Sequence, residues 1–522
     1  MRYALAALFG ALLLASCATP TKEQSLVSKA ADAMGGARAL GDIKTISTSG
    51  TSKWWEPEQS EVPGGEPRFS AEGKIDSISD LASRTTRYDY QKNFAYPTAR
   101  TFTYSEVVTP QAGYVIGIDS NGRNAESLKA NPPAHSMSGY RLATTQRERA
   151  RTGIAGMISA MLANPDAVKP AADINGLPAV EYQGFIVAFD PKTGLPERVR
   201  NLDYDNIWGD VNYDSVLSDW REFSGVKIPM KRSVQLNGRL VQETQLTDVR
   251  INPPIDQARL QIPAGVLANA AKPATGNVPY QWVIRRQYIG TYLDSDNVSY
   301  DTKAASPGLR LQQLSPGVFQ LVGGSHNALV VEMSDHLIVV DAPVSDAQSM
   351  WLLNATKSQF SGKPIRWVVL THHHMDHAGG VRGLLNDGAT LVVGQGNYKH
   401  FNDVLRAPAT RNPDMKVMDL TRIPIMEVTQ SHVMTDSKGR QVMAYAMDNP
   451  HAKGMLMVWV PDAKLGYVTD LWNPGQPLPP KPNAGQAAVV SAVKKAGIQP
   501  ERFAGGHGSV DEYQKLEKLM GQ

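Results

Sequence analysis

Ile365-Arg366-Trp367-Val368-Val369-Leu370-Thr371-His372-His373-His374-Met375-Asp376-His377-Ala378-Gly379-Gly380 decides how this 522-residue chain is read. Ile365 to Leu370 is a short apolar run and predicts a buried strand. It leads into His-x-His-x-Asp-His. His372 and His374 stand two apart, so on an extended segment their rings point the same way. His373, between them, points elsewhere and is not expected to be a ligand. Asp376 and His377 then curl towards a second point a few ångströms off. Gly379-Gly380 lets the backbone turn tightly beside them. Imidazole and carboxylate together suit a divalent metal, zinc above all.

Further along lie His451 in Asn449-Pro450-His451-Ala452, Asp470 at the end of the strand-like Gly466 to Thr469, and His507 in Gly505-Gly506-His507-Gly508. With the motif, this set resembles the metallo-β-lactamase superfamily over roughly Gly317 to Gln522. The resemblance implies a C-terminal αβ/βα sandwich holding two divalent metal ions, zinc by preference. One ion would take His372, His374 and His451. The other would take Asp376, His377 and His507, and Asp470 would bridge them. A bridging hydroxide would act as the nucleophile, with Asp376 orienting it and passing a proton. Asp341, which ends the apolar run Leu337 to Val340, is expected to buttress the metal loop. His326 is expected near the site as a support or substrate contact. His135, His336, His400 and His432 read as packing or surface residues.

The resemblance fixes the chemistry more tightly than the substrate. Zinc β-lactamases usually carry Cys or Ser where this chain has Asp470, which disfavours a dedicated β-lactam hydrolase. Flavin-dependent diiron members carry Glu where His374 stands. Hydrolysis of an ester, a lactone or a related bond in a small molecule remains the leading reading. The alternatives are a β-lactam hydrolase, a lipid- or hydrophobic-ligand-binding lipoprotein, and an iron-dependent oxygenase on the same frame.

Upstream, Ser25 to Met34 predicts a helix closed by Gly35-Gly36. From Ile43 to Ile251 strand and turn signals dominate, with Asn237-Gly238 a strong two-residue hairpin turn. One helix, Thr145 to Leu162, interrupts them. The expected class is α+β. It comprises a mainly antiparallel β domain over residues 24–262, a Pro/Ala/Gly-rich linker and arm over 263–307, and the metal domain over 308–522. The β domain is loosely similar to periplasmic lipoprotein carriers, whose open half-barrel would leave an apolar cavity. Trp54, Trp55 and Trp208 are candidate aromatic substrate contacts set against ordinary sheet packing. Lys481 is a candidate for meeting an anionic substrate.

The sole cysteine, Cys17, follows Met1-Arg2 and an apolar stretch from Tyr3 to Ala15. That stretch is shorter than the roughly 20 residues a membrane-spanning helix needs and reads as a secretory signal. Leu14-Ala15-Ser16-Cys17 resembles the bacterial lipobox. By that resemblance Cys17 is lipidated and, with Ala18 next to it, the chain is anchored to the outer membrane facing the periplasm. The lipid would be its only membrane contact. A formal charge of +3 over the whole chain gives no basic face for nucleic acid.

Overall fold

The computed structural model describes residues 20–121, 125–276, 278–291, 293–294, 308–385, 388–412 and 419–521; Cys17 and the apolar stretch before it lie outside them. The architecture is α+β. Among these residues no helix is long and apolar enough to cross a membrane.

The N-terminal half is built on one antiparallel sheet of thirteen strands. Its order runs from Ala134–Ser136 back to Thr45–Glu56, crosses to Arg239–Ile251, then runs back to Lys169–Pro170. The first and last long strands therefore pair in its middle, Ile46 opposite Ile251. The Asn237-Gly238 turn joins Val226–Leu236 to Arg239–Ile251 with positive φ at both residues, as a type I′ turn demands. Helix Lys22–Ala33 begins at a Thr21–Gln24 capping box, earlier than the expected Ser25. The single expected helix over 145–162 is two, Gly139–Thr152 and Ile154–Ala163. Gly153, at ψ 58°, leaves the helical region and breaks it. Ile154, Ile158 and Met161 pack with Val27 and Ala31 against Val187, Val199 and Leu217.

The C-terminal half is two facing sheets. Strands Arg310–Ser315, Val318–Val322, Ala328–Glu332 and Leu337–Val340 are antiparallel; Ile365–Val369, Thr390–Gly394 and Ile425–Val428 continue the same sheet in parallel. The second sheet has six strands, from Ser431–Thr435 to Val510–Glu512. Alternation sorts the side chains. Ile338 and Val340 meet Leu456 and Val458 between the sheets, while Leu337 and Val339 face the outer helices Asp346–Gln359 and Val381–Leu384. Helix Ala484–Ala496 covers the second sheet.

Residues 263–279 hold only the short helix Ala264–Ala268, and helix Tyr280–Arg286 follows. That helix places Trp282 and Val283 in the core cluster of the C-terminal half and Ile284 in that of the thirteen-stranded sheet. Its two arginines are buried against Glu56, Glu58 and Asp205 of the N-terminal half.

Candidate metal centre

Strand Ile365–Val369 lies in parallel between Leu337–Val340 and Thr390–Gly394, so the histidine-rich loop leaves at the carboxyl edge, where open sheets gather binding loops. Asp341, just past the neighbouring strand, holds that loop. Its carboxylate accepts from the Thr371 N–H at 2.8 Å, from the Thr371 hydroxyl at 2.9 Å, from His377 Nδ1 at 3.1 Å and from the Tyr467 hydroxyl at 3.3 Å. The Gly379-Gly380 turn lets two backbones approach: a Cβ on Gly379 would stand 2.3 Å from the Val344 carbonyl oxygen and one on Gly380 2.6 Å from that of Ser345. Asp341 and Asp470 both have left-handed backbones, φ 66° and 61°, the kind of local strain that collects at working sites.

The rings converge on two points. His372, His374 and His451 offer nitrogens that lie within 4.8 Å of one another, as do those of His326, His377 and His507 with an Asp376 oxygen. His372, His377 and Asp470 form a third such group linking the two. Asp470 Oδ2 lies 3.0 Å from His377 Nε2, 3.5 Å from His372 Nε2 and 3.8 Å from His451 Nε2, while its Oδ1 is 2.9 Å from His507 Nε2. The structure thus brings together all seven residues that the sequence motif singled out, with His326 beside them, its Nε2 3.3 Å from Asp376 Oδ2. His373 points away and donates from Nε2 to the Ser60 carbonyl at 2.9 Å.

The donor set fits divalent cations. His451 Nε2 faces His374 Nδ1 at 3.0 Å, and His377 Nε2 faces His507 Nε2 at 3.3 Å. Neutral rings carry one N–H each, and on two of these rings it is committed elsewhere. His374 gives its Nε2–H to the Ser60 carbonyl at 2.9 Å, which leaves Nδ1 a lone pair. His377 gives its Nδ1–H to Asp341, which leaves Nε2. His372 Nε2 is buried without a hydrogen-bond partner. Burial, reinforced by neighbouring rings, holds His372 and His374 well below the ordinary imidazole value, so both are neutral ligands at pH 7. Burial alone would raise Asp470, but His377, His507 and His451 reverse this and hold it well below the carboxylate range. Burial would lower His377, but Asp470 and Asp376 outweigh it and draw a proton there. Neither carboxylate has a Lys or Arg partner among the described residues. Apart from the proton on His377, whose place a cation would take, the described residues supply these carboxylates no positive charge.

Several contributors come from the N-terminal half and carry no recognisable motif. Gln59 Nε2 donates to Asp376 Oδ1 at 2.8 Å and its Oε1 accepts from the Tyr96 hydroxyl. Arg68 donates to the His451 carbonyl at 3.2 Å and stacks over Tyr96. A cavity of about 200 Å³ opens onto the centre, with Tyr96, Pro97, Trp282, Arg286 and Ile289 in its wall. Trp54, Trp55 and Trp208 do not line it. Trp54 is core, Trp55 packs on Phe69 and Trp208 on His400. Lys481 is exposed and outside the lining.

Residues 321–511 match the family described as Metallo-beta-lactamase superfamily, so the C-terminal part of the chain is a domain of that superfamily. Solved structures similar to it include a stereoselective inverting sec-alkylsulfatase from Pseudomonas sp. at 16% identity, covering 41% of this chain and 40% of that one, TM-score 0.31. Rubredoxin oxygen:oxidoreductase from Desulfovibrio gigas matches at 15% identity over 41% of this chain and 61% of its own, TM-score 0.32. A metallo-beta-lactamase from Erythrobacter litoralis matches at 18% identity over 42% and 97%, TM-score 0.30. The matched region thus spans 40% of the first of these structures and 61% of the second, under two thirds of each. No curated protein matches the chain.

Proposed function

We propose that this chain is a metal-dependent hydrolase holding two divalent ions, zinc by donor chemistry, and acting on an ester, a lactone or a related bond. One observation carries the reading: two groups of nitrogen and carboxylate donors both lie within reach of Asp470, with ring nitrogens converging to 3.0 Å in one and 3.3 Å in the other. His372, His374 and His451 would hold one ion; Asp376, His377 and His507 the other; Asp470 would reach both. Such ions supply Lewis acidity and a nucleophilic water at neutral pH.

The chain's own residues do the rest. Asp376 accepts from Gln59 on one oxygen and faces His326 with the other, which suits it to orient a water and hold its proton. Tyr96, Trp282 and Ile289 give the cavity an apolar wall that excludes water and favours a substrate with an apolar body. The two halves close one site between them, since Gln59 and Tyr96 belong to the thirteen-stranded domain. We also propose that Cys17 is lipidated and anchors the exported chain to the outer membrane, facing the periplasm; Cys17→Ser should release it from the membrane fraction.

Elemental analysis of the purified protein, with a panel of chromogenic esters, lactones, a β-lactam and phosphodiesters, tests the function. Two zinc ions per chain and hydrolysis that EDTA abolishes and zinc restores are expected. One iron and no hydrolysis would favour an oxygenase, and no metal at all would end the reading.

A further inference from the structure

A second cavity, of about 230 Å³, lies in the N-terminal half between the thirteen-stranded sheet and the start of helix Ile154–Ala163. None of the metal-site donors lines it. Its wall is apolar where Ile46, Ile75, Leu217, Ile228 and Leu246 of the sheet face Ile154 of the helix.

Three arginines also line it, the exposed Arg84 and the partly buried Arg149 and Arg232. Arg149 donates only to the carbonyls of Arg84 and Val108. Arg232 Nε is buried with no hydrogen-bond partner. The carboxylates nearby are committed: Glu148 to Arg151, and Asp80, at the rim, to the N–H groups of Ala82 and Ser83. Among the described residues neither guanidinium has a carboxylate within ion-pair distance. Tyr88 lines the cavity with them, and both guanidiniums act on its buried hydroxyl. A guanidinium held partly out of water without a counter-ion is unfavourable, so an anion is the natural complement of Arg149 and Arg232 and a hydrocarbon that of the apolar wall.

We propose that this cavity binds one single-chain amphiphile with a carboxylate head, a medium-chain fatty acid, with Arg232 and Arg149 meeting the head.

Gly156 allows a clean test. It lines the cavity, and a Cβ built on it meets nothing within 4 Å, so a larger side chain grows into empty space. Replacing a helix-interior glycine also favours the helix, so Gly156→Leu should fold. Titration calorimetry of the full-length protein with dodecanoate, below its micelle concentration, should show saturable 1:1 binding. Dodecyltrimethylammonium and dodecanol should bind at least about tenfold more weakly. Gly156→Leu and Arg232→Gln should each weaken dodecanoate by about tenfold or more and leave hydrolysis at the metal site unchanged. Failure of dodecanoate to saturate, equal binding of the cationic analogue, or undiminished binding by Gly156→Leu would overturn the proposal. The last would move the ligand to the metal-site cavity, and preference for a two-chain phospholipid would also refute it.

Discussion

Two buried clusters of ionisable groups meet at the segment Glu56–Ser60, and they solve the same electrostatic problem differently. On one side, Arg285 and Arg286 face Glu56, Glu58 and Asp205, none more than 3% exposed. Arg285 reaches all three acids, with Glu58 at 2.8 Å, and Arg286 reaches Glu56 at 3.1 Å and Glu58 at 3.2 Å. On the other side, Gln59 and Ser60 touch a cluster of histidines and carboxylates whose donor atoms converge on one another. The first cluster is completed by the chain. The second needs a cation from outside. Buried charge alone therefore does not mark a functional site; what marks it is a set of donors with no internal complement.

The largest effect should follow from breaking the second cluster. Asp470→Ala removes the one carboxylate within reach of both donor groups. We expect metal content to fall from two ions per chain to one or none, and kcat/KM to fall by about 10³-fold or more. Thermal stability measured in EDTA should change little, because the arginine cluster is intact. Retention of two ions and full activity would remove Asp470 from the centre.

Breaking the first cluster should do the reverse. Arg285→Met leaves buried carboxylates with one guanidinium fewer and should cost about 3–5 kcal/mol of stability, read as a lower midpoint in urea. Burial already pushes Glu58 well above the carboxylate range even with Arg285 beside it. A loss under about 1 kcal/mol would mean that the cluster is not the lock between the halves that its geometry indicates.

How much of this the sequence carried depends on how specific the contacts are. The metal loop was legible because imidazole and carboxylate at fixed spacing serve few other purposes, and Asp341 followed because it ends the adjoining strand. Gln59 and Ser60 were not legible. They act through an amide and a backbone carbonyl, groups every protein has, and Gln59 reaches a residue 317 positions away. Strands Ile425–Val428 and Ser431–Thr435 went unread because they are short and partly exposed, with weak alternation. Gly153 was read as helix although it supplied the break.

The join between the clusters can be weighed directly. Gln59→Leu keeps the volume but takes the donor from Asp376 Oδ1 and the acceptor from Tyr96. Loss of such a support typically costs about 10- to 100-fold in metal affinity or activity. We expect kcat to fall in that range with KM nearly unchanged, and the ion count at saturating zinc to stay at two. An unchanged kcat would make Gln59 packing rather than part of the site.

The smallest effect concerns a third kind of buried acid, neutralised by neither an arginine nor a metal. Asp346 begins helix Asp346–Gln359 and accepts from the Tyr204 hydroxyl of the other half, while its Oδ1 has no partner. Burial pushes it up to about 7, against about 3.9 in an unfolded chain. The folded state therefore holds a proton that the unfolded state has released between about pH 4 and pH 7. This contribution to stability is present at the acid end of that window, falls as pH rises through it, and is gone above about pH 7. The helix N-terminus opposes the trend by favouring the charged form by about 0.3–1 kcal/mol, less than a shift of this size implies. Asp346→Asn keeps an acceptor for Tyr204 and cannot ionise. Its stability at pH 8 should exceed that of the parent by about 1–2 kcal/mol, and the two should converge below about pH 4. Parallel stability–pH curves for the two proteins would show that water or a nearby cation already meets Asp346, and that this contact between the halves is not tuned by its proton.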